Sequence, residues 1–176
     1  MNIIKPSSYM KPDTFESSPL ETECLFGESI EILEEYLDWV YCRLITDNYC
    51  GWVKKNDLGR LNQITHRVLN LRTFVFKEPN EKSDILLYLP MGSVLTIETI
   101  KSGWAKTFFF LNDEVQIGYV PSKHIVVAQN KVFDWVAIAQ QLEGVPYRWG
   151  GRDTIGIDCS ALLQLSYQTY SEFIPR

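Results

Sequence analysis

The sequence predicts a chain that is mainly β and then α+β. Two small β-barrels are expected in tandem, over residues 1–60 and 61–128, followed over 129–176 by the helical start of an α+β domain. Three observations carry that expectation. One is an internal repeat written in alternating apolar and polar residues. Another is a change of hydrophobic period after Val127. The last is a glycine-rich segment that hands one cysteine to an apolar, helix-forming run.

The repeat is explicit. Gly27-Glu28-Ser29-Ile30-Glu31-Ile32-Leu33 is followed by Trp39-Val40-Tyr41-Cys42-Arg43-Leu44 and by Gly51-Trp52-Val53. Its counterpart is Gly92-Ser93-Val94-Leu95-Thr96-Ile97, then Trp104-Ala105-Lys106-Thr107-Phe108, then Gly118-Tyr119-Val120. The glycine-to-tryptophan spacing is the same in both. Alternation with a period of two puts successive side chains on opposite faces, the mark of half-buried antiparallel strands. Turn residues interrupt them, Asp47-Asn48 in one copy and Asn112-Asp113 in the other. The stretch around Asn62-Gln63 reads as a short linker, and Lys77-Glu78-Pro79-Asn80-Glu81-Lys82-Ser83 as a loop inside the second barrel.

Beyond Val127 the period lengthens. Val132, Phe133, Trp135, Val136, Ile138, Ala139 and Leu142 recur every three to four positions, which predicts an amphipathic helix with Asn130 as N-cap and Gly144 as its stop. Tyr147 to Asp158 is expected to be loop. Cys159 to about Tyr170 is expected to be a second helix burying Leu162, Leu163 and Leu165, and Pro175 ends it. Without a sheet of their own, these helices expose Phe133, Trp135, Val136, Leu162, Leu163 and Leu165 unless they pack on the barrels or a partner.

Composition narrows the function classes. Residues 1–60 hold eleven acidic against six basic side chains, so the net charge of −5 belongs to the N-terminal third. A nucleic-acid partner needs a basic footprint and is not expected, whereas a cationic ligand is compatible. The N-terminus lacks a basic segment followed by an apolar run, and no apolar run reaches spanning length. A cytoplasmic protein without a membrane partner is the expectation. Cys24, Cys42, Cys50 and Cys159 form no CxxC pair, so no metal site, redox motif or cofactor is expected, and buried reduced thiols are the simplest state for the first three.

The chemistry concentrates at Pro146-Tyr147-Arg148-Trp149-Gly150-Gly151-Arg152-Asp153-Thr154-Ile155-Gly156-Ile157-Asp158-Cys159-Ser160-Ala161-Leu162-Leu163-Gln164. Glycines let the backbone approach a ligand, and a cysteine at a helix start meets amide N–H groups and a positive dipole end that favour thiolate over thiol. The plain alternative is an ordinary buried cysteine at a helix start. A cysteine nucleophile normally works with a histidine, yet none follows Cys159. His66 and His124 precede it and read as surface or interdomain residues.

The segment Tyr147-Arg148-Trp149-Gly150-Gly151 with Gly156-Ile157-Asp158-Cys159-Ser160 resembles the nucleophile segment of the NlpC/P60 cysteine peptidases, and the tandem repeat resembles bacterial SH3 (SH3b) domains. The resemblance implies two SH3-like barrels ahead of the N-terminal helical part of a papain-like NlpC/P60 domain, with Arg176 an early end to a longer product. It implies a thiol hydrolase cutting the bond after γ-D-glutamate in cell-wall peptides with a free N-terminus, L-Ala-γ-D-Glu-diamino acid. Cys159 matches the nucleophile, Tyr147 the pocket tyrosine beside it, and Asp158 and Ser160 residues that bind the substrate amine. Tyr49 is the candidate for the SH3b wall that closes the cleft, or else a strand-end tyrosine packed on its own barrel. Two departures stand out: Ala161 replaces the usual glycine, and the family's downstream histidine and its polar partner are missing, so little or no hydrolysis is expected of these 176 residues. A non-catalytic tandem SH3b module that binds peptides, or a subunit completed by another chain, is the competing reading.

Overall fold

The computed structural model describes residues 1–61, 63–111, 114–130 and 134–168. The first group of strands is β1 (Asn2–Ile3), β2 (Ser7–Met10), β3 (Thr22–Leu25), β4 (Ile30–Tyr36), β5 (Trp39–Leu44), β6 (Cys50–Lys54) and β7 (Leu58–Gly59). The second is β8 (His66–Val68), β9 (Arg72–Phe76), β10 (Ile85–Pro90), β11 (Val94–Leu95), β12 (Ile97–Lys101), β13 (Trp104–Leu111), β14 (Glu114–Pro121) and β15 (Ile125–Val127). After them come α1 (Trp135–Gln141), the strand pair β16 (Arg152–Asp153) and β17 (Gly156–Ile157), and α2 (Cys159–Gln168). The chain is thus mainly β with its helices at the C-terminal end.

The repeat extends to the pairing register. In β4–β5, Ile32 faces Cys42 and Tyr36 faces Trp39, with a slip between Ile32 and Glu34. In β12–β13, Ile97 faces Thr107 and Lys101 faces Trp104, with a slip between Ile97 and Thr99. One displacement along the sequence carries each feature onto its counterpart. Both hairpins turn through a left-handed residue, Leu37 at φ 49° and Ser102 at φ 51°, and a 3₁₀ turn follows the next strand in each, Lys55–Asp57 after β6 and Ser122–His124 after β14.

Alternation sends every second side chain inward, and each group of strands closes on its own core. Ile3, Met10, Cys24, Ile30, Val40, Cys42, Leu44 and Val53 fill the first. Phe26, Val68, Val75, Leu89, Leu95, Phe109 and Val120 fill the second. Phe26 leaves the first group of strands to complete the core of the second. The crossing is tight. A Cβ on Gly27, at φ +83°, would lie 2.2 Å from the Val94 carbonyl oxygen, so the contact requires glycine. Burial pushes the Cys24 thiol up, and burial with Cys50 nearby pushes Cys42 to about 12. Cys50, expected to be buried, is exposed at a strand start, and all four cysteines are free.

The helices do find a core. Ile138 and Leu142 from α1, Ala161 and Leu165 from α2 and Ile157 pack on Leu25 and Met91 of the strand region. Four expectations change accordingly. The α1 cap is Asp134, whose carboxylate accepts from Ala137 N at 2.9 Å, rather than Asn130, whose carbonyl is taken by Arg67. The inward face of α2 is Ala161, Gln164 and Leu165, while Leu162 and Leu163 point outward at 37% and 49% exposure. Trp135 and Val136 are also exposed, with Trp135 stacked on Tyr167 at 4.7 Å. Within the expected loop, Arg152–Asp153 and Gly156–Ile157 pair as a short hairpin. Gly144, at φ +83°, follows α1 as expected. The expectations for Asn62, Asn112-Asp113, Val132, Phe133, Tyr170 and Pro175 fall outside the described residues. Among the described residues no helix is long and apolar enough to cross a membrane.

Candidate active site

The glycine-rich segment folds back on itself to present Cys159. Ile157 N donates to Pro146 O and Arg148 N to Ile157 O, so Tyr147 and Ile157 run parallel at one bridge. Asp158 N donates to Gly151 O, and Gly150 N donates to Asp158 Oδ2 at 3.1 Å. The other Asp158 oxygen accepts from Ala161 N and from Ser160 Oγ, both at 2.8 Å. Asp158 is therefore the N-cap of α2, buried at 6% exposure, and Cys159 is the first helical residue. The N–H groups of Cys159 and Ser160 lie in the first turn, where no intrahelical acceptor exists. An exposed thiol thus sits where negative charge is favoured.

A cavity of about 270 Å³ opens at the thiol. Cys159, Asp158, Tyr147 and Leu162 line one side, and Leu142 and Glu143 from the end of α1 line the other. Tyr147 is 66% exposed. The structure therefore brings together Cys159, Asp158 and Tyr147, with Ser160 bonded to Asp158. Tyr49 does not line this cavity. It packs against the first core, and its hydroxyl donates to Glu21 Oε2 at 2.7 Å. Glu21 lies against the glycine-rich segment, because a Cβ on Gly150 would meet its carbonyl oxygen at 3.1 Å. The histidines lie elsewhere. His66 Nδ1 is 2.9 Å from Thr65 Oγ1 and His124 Nδ1 is 2.8 Å from Thr73 Oγ1, and burial holds both below the usual imidazole range.

Sequence reading missed what holds the segment in place. Glu23 and Glu28, counted among the acidic excess of the first third, are buried at 2% and 5% exposure. Glu28 takes the Arg152 guanidinium with both oxygens, at 2.8 and 2.9 Å. Glu23 takes Arg148 at 2.7 Å and the backbone N–H groups of Arg152 and Asp153 at 2.7 and 3.1 Å. Glu23 N donates to Gly150 O, and Arg148 also reaches Tyr9 Oη at 2.7 Å. The second group of strands adds Tyr88, which donates to Asp153 at 3.0 Å, and Arg72, which donates to Thr154. Gln164 on α2 donates to Asp47 at 2.9 Å. The available signal was two arginines in a glycine-rich loop facing a third of the chain with surplus carboxylates. Among the described residues no cluster of His, Cys, Asp and Glu is suited to a metal ion.

Comparison with known proteins places both halves. Residues 13–58 match the bacterial dipeptidyl-peptidase Sh3 domain, and residues 144–176 match the NlpC/P60 family. A dipeptidyl-peptidase 6 of Lysinibacillus sphaericus is 29% identical over 180 residues, covering 90% of this chain and 64% of that protein. A gamma-D-glutamyl-L-lysine dipeptidyl-peptidase of Bacillus subtilis (strain 168) is 26% identical over 170 residues, covering 89% and 55%. The chain therefore spans between about half and two thirds of the length of these relatives. The crystal structure of an NlpC/P60 family protein from Bacillus cereus superposes on 99% of this chain and 73% of its own, with a TM-score of 0.82 at 16% identity, which establishes a shared fold. The cysteine segment thus matches the NlpC/P60 family, a match to an SH3 domain of the bacterial dipeptidyl-peptidase type precedes it, and the fold is that of an NlpC/P60 family protein.

Proposed function

We propose that Cys159 is the nucleophile of a cysteine-type peptidase acting on γ-D-glutamyl-diamino acid bonds in bacterial cell-wall peptides. The observation that carries the reading is the exposed Cys159 thiol at the first position of α2, opening on a cavity beside Tyr147 and the capping Asp158. The thiolate would attack the scissile carbonyl to form an acyl-enzyme, the amine leaving with a proton, and water would release the acyl group. The first-turn amides beside Cys159 would serve as donors to the developing oxyanion. A general base belongs to the same proposal, and among the described residues no histidine lines the cavity.

In this reading residues 1–60 and 61–128 are two SH3-like barrels, and 129–176 is the opening part of the papain-like domain. The matched Sh3 domain and the common hairpin register support it. Ser160 and Asp158 border the place of a free N-terminal amine, although the Asp158 oxygens already serve the helix cap and Gly150. Tyr49 and Glu21 would close the cleft from the first barrel. A cytoplasmic setting belongs to the same proposal.

The test is an affinity label in which L-Ala-γ-D-Glu carries an acyloxymethyl ketone in place of the scissile amide. The expected result is a single adduct on Cys159, absent from Cys159→Ala and suppressed by L-Ala-γ-D-Glu-L-Lys. Equal labelling of Cys50, or labelling that the tripeptide does not suppress, would overturn the proposal.

A further inference from the structure

The two copies of the repeat differ at the same place, the groove between the hairpin tryptophan and the loop that precedes it in sequence. In the first copy the chain covers Trp39 itself. Lys54 Nζ lies 3.9 Å from the centre of the indole and Lys11 Nζ 5.9 Å. Both lysines are tied to Glu16 in the loop between β2 and β3, Lys54 by its carboxylate and Lys11 by its carbonyl. Trp39 is left 6% exposed.

In the second copy the two lysines are replaced: the register puts Pro121 opposite Trp104 and Phe76 opposite Tyr119. The hydrogen bonds the structure records for the loop between β9 and β10 stay within the loop, as in Lys77 N to Asp84 O and Ser83 N to Asn80 O. Between this loop and the β12–β13 hairpin lies a cavity of about 380 Å³, lined by Pro79, Lys101, Trp104, Lys106 and Tyr119. That is a ligand-sized volume. Trp104 is half-buried, and Phe76 packs edge-on against it at 5.5 Å. Lys106 is bridged to Glu98 at 2.7 Å, which raises its pKa, so it stays charged at neutral pH. Lys101 is exposed and has no acidic partner among the described residues. The left-handed turn at Ser102 and Gly103 fixes where Lys101 stands beside Trp104. The lining side chains carry two positive charges and no negative one.

We propose that this groove is a second binding site, separate from the cavity at Cys159, for an extended peptide segment bearing a carboxylate. The first copy shows the chemistry from within the chain: a loop carboxylate, Glu16, reaches across to a lysine stacked on the hairpin tryptophan. In the second copy the lysines come from the hairpin instead, Lys106 already paired with Glu98 and Lys101 with no acidic partner among the described residues. A peptide chain laid over Trp104, Tyr119 and Pro79 would place its carboxylate on Lys101 at the edge of the same groove. Aromatic-lined grooves receive extended peptides in this way, and the lysines select the charge. The inference does not depend on Cys159 being a nucleophile.

The test is a nitrogen-15 NMR titration of the 176-residue chain with acetyl-Glu-Ala-Glu-amide, and with acetyl-Gln-Ala-Gln-amide as its uncharged match. The expected result is saturable shifts at the Trp104 indole and the Lys101 and Tyr119 amides with the glutamate peptide. Added salt should weaken them. Lys101→Glu, on an exposed side chain, is expected to weaken binding by about fivefold or more, because a favourable pair becomes a repulsive one. The proposal is overturned if these signals do not move, if both peptides bind alike, or if shifts appear only around Cys159.

Discussion

The Arg152 guanidinium is fully buried and meets both carboxylate oxygens of Glu28, Nη1 at 2.9 Å and Nη2 at 2.8 Å. Burial by itself would weaken the Arg152 charge, but Glu28 outweighs it and holds the guanidinium above its usual pKa. Glu28 belongs to the turn after β3, and Arg152 opens the hairpin that leads to Cys159. Arg152 is followed through Gly156, Ile157 and the Asp158 cap by α2, with a second brace from Gln164 to Asp47. The SH3 domain is thus part of the frame of the thiol rather than a module tethered beside it.

Breaking this pair from one side should be costly. Arg152→Met leaves Glu28 as a buried, unpaired carboxylate and is expected to lose about 3–5 kcal/mol in urea unfolding. Pairing it with Glu28→Gln should recover part of that loss, because the stranded charge is gone. A single substitution costing under about 1 kcal/mol would show that the pair does not hold the segment.

Removing the α2 cap has a smaller and more local effect. Asp158→Ala deletes the acceptor for Ala161 N and Gly150 N and is expected to cost about 1–2 kcal/mol. Asp158→Asn keeps a cap oxygen and should cost less. Amide hydrogen exchange should report the loss at Ala161 and Gly150 first, ahead of the two strand cores.

Gly150 has no room for a side chain. At φ +72°, a Cβ would lie 2.7 Å from Leu20 Cγ and 3.1 Å from Glu21 O. Gly150→Ala is expected to destabilise by more than about 1 kcal/mol, from backbone strain and displacement of the 20–21 segment together. Thermal unfolding at a fixed scan rate measures it, and an unchanged Tm would contradict the contact.

Stability should fall on both sides of neutral pH, for different reasons. Cys42, raised by burial, and Tyr88, raised by burial and by Asp153, both sit at about 12 when folded. Their stabilisation is complete below the unfolded values, near 9 and 10, and is lost as pH rises from there towards 12. His66 and His124, lowered by burial, act in the opposite sense: their contribution is present above 6.5 and is lost as pH falls below it. Urea unfolding across pH 5 to 11 should show both declines, and Cys42→Ala should flatten the alkaline one only.

Much of this was legible in the sequence because it is written in local periods. The two hairpins follow from alternation and from glycine and tryptophan spacing, whereas their matching slip does not. The cysteine segment follows from its glycines and its place before an apolar run. What stayed hidden was non-local or degenerate. Glu28 and Arg152 are 124 positions apart, and nothing in either neighbourhood marks the glutamate as buried. Asn130 and Asp134 are both acceptable caps, and only the register of α1 chooses between them. In α2 an apolar face through Leu162 and Leu163 looked natural, yet contact with Asp47 turns Gln164 inward and those leucines out. Tyr49, offered as a wall of the cleft or as a tyrosine packed on its own barrel, packs against the first core with its hydroxyl on Glu21.

The central claim is that the fold prepares Cys159 for nucleophilic attack, and an internal control exists in Cys50, which is also exposed and free. The most direct measurement is the iodoacetamide alkylation rate of each thiol at pH 7, resolved by peptide mass. Placement at the α2 N-terminus predicts that Cys159 reacts about two- to fivefold faster than Cys50, with the advantage reduced in Asp158→Ala. Equal rates in the folded protein, or an advantage for Cys50, would contradict the account.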